Sequence, residues 1–180
     1  MAVDTDTQLR TVEHLTGRDL PPLILPATNG QNVLCTDLAG WSVFYFYPRT
    51  SPPNAMPIEG WNEIPGARGC TPQSCGFRDH FEDLKSAGAT AVFGVSAQDT
   101  DYQREAVDRL RLPFPLISDT GMLFHRTLGL PVFTAAGLTL YGRVTLVTFG
   151  NSIKQVFDPV SDPAGNAQTV LAHLKTQQQE

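Results

Sequence analysis

Charge, cysteine and long apolar runs are all scarce in this 180-residue chain. Charged residues make up only 17% and hydrophobic ones 41%, a balance too apolar for a disordered polymer. The 13 Lys and Arg are outnumbered by 18 Asp and Glu, giving a net charge of −5. No basic cluster forms, so nucleic acid and anionic membrane surfaces are excluded as expected partners. The longest apolar stretches, such as Val43 to Tyr47, fall far short of the roughly 20 residues that span a bilayer. The start, MAVDTDTQLR, lacks the apolar core of a secretory signal, and the expected location is cytoplasmic. Three cysteines are an odd number and too few for a disulfide scaffold, so a pair among them is expected to be reactive or metal-binding. The four histidines, His14, His80, His125 and His173, are scattered, and no metal or other cofactor is expected. Neither an internal repeat nor an interdomain linker is visible, and the length suits one compact domain.

Periodicity gives the outline. Residues 1–19 are polar and read as a loose or partly helical arm before a single domain over 20–180. Leu23 to Ala27 and Gln31 to Cys35 flank Asn29-Gly30, a pair suited to the positive φ angles of a hairpin turn. Val43 to Tyr47 and Ala91 to Val95 are unbroken β-branched and aromatic runs, the pattern of strands covered on both faces. Between them Phe77, Phe81 and Leu84 recur at helical spacing until Gly88, which predicts a helix over 72–87. Asp99 opens a helix carrying Tyr102, Ala106 and Leu110. A short strand at Pro115 to Ile117 and a short helix after Asp119 follow. Val144 to Phe149 and Ile153 to Phe157 form a second hairpin about Gly150-Asn151. Asp162 as N-cap and Pro163 at the first helical position open a last helix with Ala167, Val170, Leu171 and Leu174 on one face. The order predicts an α/β fold with a mixed central β-sheet flanked by helices and an N-terminal β-hairpin. Residues 49–69 are irregular, rich in Pro and Gly and contain Trp61; a loop of that length is more often functional than idle.

The chemistry gathers where that loop meets the first long helix. Pro72 restricts Thr71 and suits the first helical turn, which places Cys70 at or just before a helix N-terminus. Free amides and the positive end of the dipole favour a thiolate there. An unperturbed thiol is only about 3% ionised at pH 7, and each tenfold gain takes about 1.4 kcal/mol. The helix end supplies about 0.3–1 kcal/mol, whereas a guanidinium at roughly 4 Å supplies about 4 kcal/mol before desolvation. An arginine is therefore the stronger lever, and Arg49, Arg68, Arg78 and the distant Arg143 are the candidates. Cys75 follows at C-x4-C. Residues five apart in a regular helix stand about 8.7 Å apart at Cα, beyond the roughly 7 Å reach of a disulfide. Pairing Cys70 with Cys75 therefore requires the helix start to unwind. The spacing is neither the C-x-x-C of a thioredoxin-type exchanger nor that of a zinc knuckle.

From about Leu23 to Leu174 the chain resembles the peroxiredoxins, specifically the Q type, or bacterioferritin comigratory protein-like group. The motifs are Tyr45-Phe-Tyr-Pro48, Gly69-Cys70-Thr71 with Cys75, Phe77-Arg78-Asp79, Phe93-Gly-Val-Ser96 and Leu112-Pro-Phe-Pro-Leu-Ile-Ser-Asp119. The resemblance implies a thioredoxin-like fold and a thiol-dependent peroxidase acting on hydrogen peroxide and organic hydroperoxides. By position, Cys70 resembles the peroxidatic cysteine and Cys75 the resolving cysteine of an intramolecular disulfide. Arg143 stands where the family keeps an arginine facing the thiolate. The implied reductant is thioredoxin or a similar dithiol donor, and the implied state a monomer or homodimer.

One departure stands out. The family pattern P-x3-T-x2-C places a threonine three residues before the peroxidatic cysteine, where this chain has Ala67, and Pro48 is 21 residues from Cys70 instead of 6. An insertion over about 49–66 accounts for the difference. Thr50, two residues after Pro48, is the expected replacement hydroxyl, and Thr71 is a second candidate or a helix cap. Cys35 on the opening hairpin reads as passive packing, and His80 is a lesser candidate base. A non-catalytic thiol redox switch and a thioredoxin-like disulfide exchanger are the alternative readings.

Overall fold

A computed structural model describes residues 12–180. Two short strands, β1 (Ile24–Pro26) and β2 (Asn32–Leu34), pair antiparallel around Asn29-Gly30. Gly30 has φ 82°, as the turn requires, and Gln31 N–H donates to Asn29 Oδ1 at 3.1 Å. Five strands make the central sheet: β3 (Trp41–Phe46), β4 (Ala89–Ser96), β5 (Leu116–Ser118), β8 (Val144–Phe149) and β9 (Ser152–Phe157). Their order is β5-β4-β3-β8-β9. β3, β4 and β5 are parallel, whereas β8 is antiparallel to β3 and β9 to β8, so the sheet is mixed.

The apolar run of β3 is buried because both sheet faces are covered. Alternate residues divide between two cores. Phe44 and Phe46 pack with Leu15, Phe124, Leu130, Tyr141 and the opening hairpin. Val43, Tyr45 and Tyr47 pack with Phe77, Leu84, Leu110, Val170 and Leu174 on the other face. The helices of that second layer are α1 (Cys70–Asp79), α2 (Phe81–Ser86), α3 (Thr100–Leu110) and α5 (Asn166–Gln177), while α4 (Leu123–Leu128) lies with the first. Asp99 caps α3 by accepting from Tyr102 N–H at 2.8 Å.

Four features depart from the sequence expectation. The helix read over 72–87 is two helices, interrupted at His80, whose φ of −98° and ψ of 7° leave the helical region. α5 begins at Asn166 and not at Pro163: Asp162 spends its capping carboxylate on Gly165 N–H, at 3.2 Å, in a turn ahead of the helix. A hairpin of β6 (Val132–Ala135) and β7 (Leu138–Tyr141) forms its own two-stranded sheet and had no counterpart in the reading. Residues 1–11 of the expected arm lie outside the described residues, but 12–19 belong to the domain: Leu15 is buried in the core and Asp19 bridges to Ser152. No helix among the described residues is long and apolar enough to cross a membrane.

Candidate active site

Gly69 sets the start of α1. Its φ of 103° is left-handed, and a Cβ there would stand 2.8 Å from Pro163 Cγ. Glycine alone satisfies both demands. Cys70 is then the first helical residue, and Pro72 falls among the first four positions, whose amides need no intrahelical partner. Gln73 N–H closes the first turn onto Gly69 C=O at 2.9 Å. No side chain caps this helix, so Thr71 does not take the capping role considered for it.

Among the four candidate arginines, Arg143 is the one that meets Cys70. Both residues are 5% exposed, and Arg143 Nη2 is 3.3 Å from Cys70 Sγ. The same nitrogen is shared with the carbonyls of Gly66, Ala67 and Arg68 at 3.0, 3.3 and 2.9 Å, and Nη1 donates to Gln73 Oε1 at 2.5 Å. No carboxylate pairs with Arg143 among the described residues. A buried guanidinium without an acidic partner favours an anion beside it, and the sulfur is the ionisable atom in contact. As a thiol, Cys70 donates to Ala67 C=O at 3.7 Å. Arg49 instead donates to the Tyr102 hydroxyl, Arg68 lies exposed beside the loop, and Arg78 is held by Asp79 and the Leu110 carbonyl.

The guanidinium is itself positioned by a buried polar chain. Gln73 Nε2 donates to Asn166 Oδ1 at 3.0 Å, which also accepts from Thr145 Oγ1 at 2.7 Å. Thr145 follows Arg143 by two residues, Gln73 follows Cys70 by three, and Asn166 opens α5, so the chain ties strand, Cys70 helix and last helix together. Sequence reasoning missed Gln73 and Asn166. The signal for Gln73 was its i+3 spacing from Cys70, which puts both on one helix face; Asn166 left none, because its role depends on where α5 docks.

Cys75 is half-buried on the same α1 and faces Arg78. That guanidinium is held charged mainly by the Asp79 hydrogen bond, with the sulfur a smaller contributor. Cys70 and Cys75 are both free thiols, as the intact helix demands. Beneath them the Tyr45 hydroxyl and Ser74 Oγ share a hydrogen bond at 3.0 Å, and the Tyr45 ring stacks on Phe77 at 4.5 Å. Burial pushes the ionisation of Tyr45 and Tyr47 upward, so neither serves as a base. Cys35 is fully buried on the opposite face of the sheet; desolvation, helped by Asp119, pushes its thiol up to about 12 and leaves it unreactive.

Thr50 is engaged by Gln98. Its amide and hydroxyl both turn to Gln98 Oε1, at 3.0 and 3.5 Å, and the Gln98 amide donates back to Thr50 C=O at 2.9 Å. Tyr47 N–H is bound to Val95 C=O, so the chain leaves β3 along the end of β4 and Thr50 is buried there. No hydrogen bond joins Thr50, the expected replacement hydroxyl, to Cys70 or Arg143. His80 sits in the break between α1 and α2, 3.6 Å from Asp83, and makes no hydrogen bond to the thiol. The inserted loop is anchored elsewhere: Ile58, Trp61 and Ile64 pack with Ala67, Phe133, Ala135 and Leu140, the last three from β6 and β7. Among the described residues no group of His, Cys, Asp and Glu is arranged to hold a metal ion.

Comparisons to known proteins bear on the chain as a whole. The Redoxin family model matches residues 15–171. The chain belongs to the Redoxin family. Within that family it is similar to chloroplastic peroxiredoxin Q of Gentiana triflora, at 35% identity over 158 residues, 87% of this chain and 64% of the relative. The Arabidopsis thaliana peroxiredoxin Q is 31% identical over 163 residues, 88% of this chain and 66% of the relative. The chain thus spans slightly less than two thirds of these relatives' length. Among solved structures, peroxiredoxin Q of Xanthomonas campestris is similar with TM-score 0.70 and 25% identity, covering 92% of this chain and 98% of that one. The Mycobacterium tuberculosis peroxidoxin BcpB gives TM-score 0.71 at 23% identity, covering 89% and 96%. The fold of this Redoxin member is thioredoxin-like, with the mixed sheet and flanking helices already described.

Proposed function

We propose that this Redoxin member is a thiol-dependent peroxidase. The observation that carries the reading is the 3.3 Å contact of Arg143 Nη2 with Cys70 Sγ at the start of α1, with no carboxylate among the described residues competing for the guanidinium. The Cys70 thiolate attacks the terminal oxygen of a hydroperoxide; the S–O bond forms as the O–O bond breaks. Sulfur is oxidised by two electrons to sulfenic acid, the peroxide is reduced, and the departing alkoxide or hydroxide takes up a proton and leaves as alcohol or water. Arg143 stabilises the attacking thiolate. Its Nε–H is buried and has no partner among the described residues, so it is the uncommitted donor for the oxygen that gains charge.

Cys75 then condenses with the sulfenic acid to give a Cys70–Cys75 disulfide and water. Both thiols lie in one intact helix, so its first turns unwind at this step. Thioredoxin or a similar dithiol donor reduces the disulfide and is itself oxidised. A cycle that depends on such a donor fits a cytoplasmic location. Mass spectrometry after one equivalent of hydrogen peroxide tests the scheme. The wild type loses about 2 Da as the disulfide forms, Cys75→Ser gains about 16 Da on residue 70, and Cys70→Ser is unchanged. Oxidation of Cys75 first, or slow consumption of a single equivalent with no turnover under excess dithiol, overturns the peroxidase in favour of a redox switch.

A further inference from the structure

β4 is eight residues long, but β5 pairs with only its last three, Gly94 to Ser96. Successive residues of a parallel strand turn their N–H and C=O to opposite sides. Val95 C=O accepts from Tyr47 N–H on the β3 side, and Ser96, opposite Ser118, accepts from Asp119 N–H on the β5 side. Val92 shares the parity of Ser96, so its N–H and C=O point away from β3. On the same register it falls opposite Phe114, and its C=O would need an N–H from Pro115, which has none. Proline thus ends the ladder and leaves the first part of β4 as an open sheet edge. No group among the described residues meets the Val92 N–H or C=O there, although the residue is only 2% exposed.

A second open edge lies across from it. Cys35 N–H donates to Leu23 C=O and Ala27 N–H to Gln31 C=O, so the alternation turns Val33 toward β1 and Asn32 and Leu34 away from it. Leu34 C=O is taken by Asp37 N–H at 3.0 Å, whereas Leu34 N–H and both backbone groups of Asn32 have no partner among the described residues. Between the two edges runs a groove of about 420 Å³, lined by Asn32 to Leu34 on one side and Thr90 to Phe93 on the other. Leu38, Phe81 and Phe114 give it an apolar lining, and Asp37 is its one ionisable group among the described residues. Unpaired backbone groups on both sides of one groove are satisfied by an added β-strand. Asp37, on a chain of net charge −5, favours a basic residue in that strand, and a second copy of this acidic chain is the poorer occupant. We propose that the groove docks an extended segment of another protein by strand addition, with β-branched or aromatic side chains against the apolar lining and a lysine or arginine beside Asp37. Cys70, Cys75 and Arg143 are not on this lining, so the docking site is separate from the thiol chemistry.

The test titrates the peptide acetyl-Thr-Val-Lys-Val-Thr-amide, to millimolar concentration, into the reduced, isotopically labelled full chain and follows backbone amides by NMR. The Asn32, Leu34 and Val92 amides shift together, and at about ten times the Kd the exchange of Val92 N–H slows about tenfold. The same peptide with both valines N-methylated lacks the ladder donors and binds about tenfold more weakly or worse. Asp37→Asn, at an exposed side chain, weakens the lysine peptide about threefold and abolishes its advantage over a peptide with glutamate in place of lysine. Asn32→Pro removes a free N–H that the hairpin does not use and weakens binding about threefold or more, with a thermal melt to confirm that each variant is folded. Equal affinity for the N-methylated peptide, shifts confined to residues outside the groove, or no shift in the wild type overturns strand addition. Concentration-dependent shifts of the same three amides without peptide assign the groove to a second copy and overturn it as well. None of these readouts requires peroxide turnover, so failure of the peroxidase reading leaves the docking test intact.

Discussion

Replacing Arg143 by glutamine removes the guanidinium in contact with Cys70 Sγ and the anchor of the Gly66, Ala67 and Arg68 carbonyls. A charge-assisted hydrogen bond between two buried groups is worth about 1.5–3 kcal/mol. At about 1.4 kcal/mol per tenfold, kcat/KM for hydrogen peroxide falls roughly 10- to 150-fold. The three orphaned carbonyls add a stability cost, so thermal melting must be followed in parallel. Arg143→Lys separates the contributions: an ammonium keeps the charge but cannot hold Gln73 and the sulfur at once as the planar fork does, and it is expected between wild type and Arg143→Gln. The assay is stopped-flow oxidation at limiting peroxide, paired with the rate of Cys70 alkylation by iodoacetamide, which reads thiolate reactivity without a peroxide. Both rates fall if the arginine acts on the thiolate; loss of the peroxide rate alone assigns its role to the O–O bond. A folded Arg143→Gln variant with both rates within twofold of wild type refutes the argument.

Three further outcomes follow from the geometry. In the disulfide form, amides over about 70–80 lose hydrogen-exchange protection, because the Gln73 to Gly69 bond and the Tyr45–Ser74 pair cannot survive a bond across C-x4-C; equal protection in both redox states contradicts this. Thr50→Val leaves kcat/KM for hydrogen peroxide within about twofold, since its hydroxyl belongs to Gln98, and a loss of tenfold or more restores it to the reaction. Burial beside Trp41 and Phe157 lowers the pKa of His173 from 6.5. The unfolded chain then binds more protons below that value, so stability, followed by denaturant melts, falls as pH drops through 6.5 and rises with pH above the folded value. His173→Gln flattens that dependence, and an unchanged pH profile in the variant removes His173 from the account.

The sheet and the place of Cys70 at a helix start were legible because they depend on local pattern. An unbroken run such as Val43 to Tyr47 admits one reading, and Pro72 after Cys70 marks a helix start from backbone chemistry alone. What escaped depends on meetings between distant segments. β6 and β7 are short, with Leu138 exposed and Leu140 buried against the insertion, so their apolar pattern makes sense only once Trp61 and Ile64 cover them. The break at His80 is invisible to periodicity, which continues from Phe77 to Phe81 and Leu84 across it. Arg143 was reachable through resemblance, but its bond to Gln73, and that of Gln73 to Asn166, required the packing of α5. The bonds of Thr50 to Gln98 escaped because counting residues after Pro48 cannot tell on which side of the strand end the insertion departs.

The close approach at Gly69 has a counterpart two turns along the same helical face. A Cβ on Gly76 would lie 2.8 Å from Ala164 C=O, just as one on Gly69 would strike Pro163. Even alanine is therefore barred at both places, by a stretch of chain far downstream. Laboratory evolution of this chain can lengthen, trim or recolour its inserted loop, yet these two bare positions stay closed to mutation unless the 163–164 corner is redrawn at the same time.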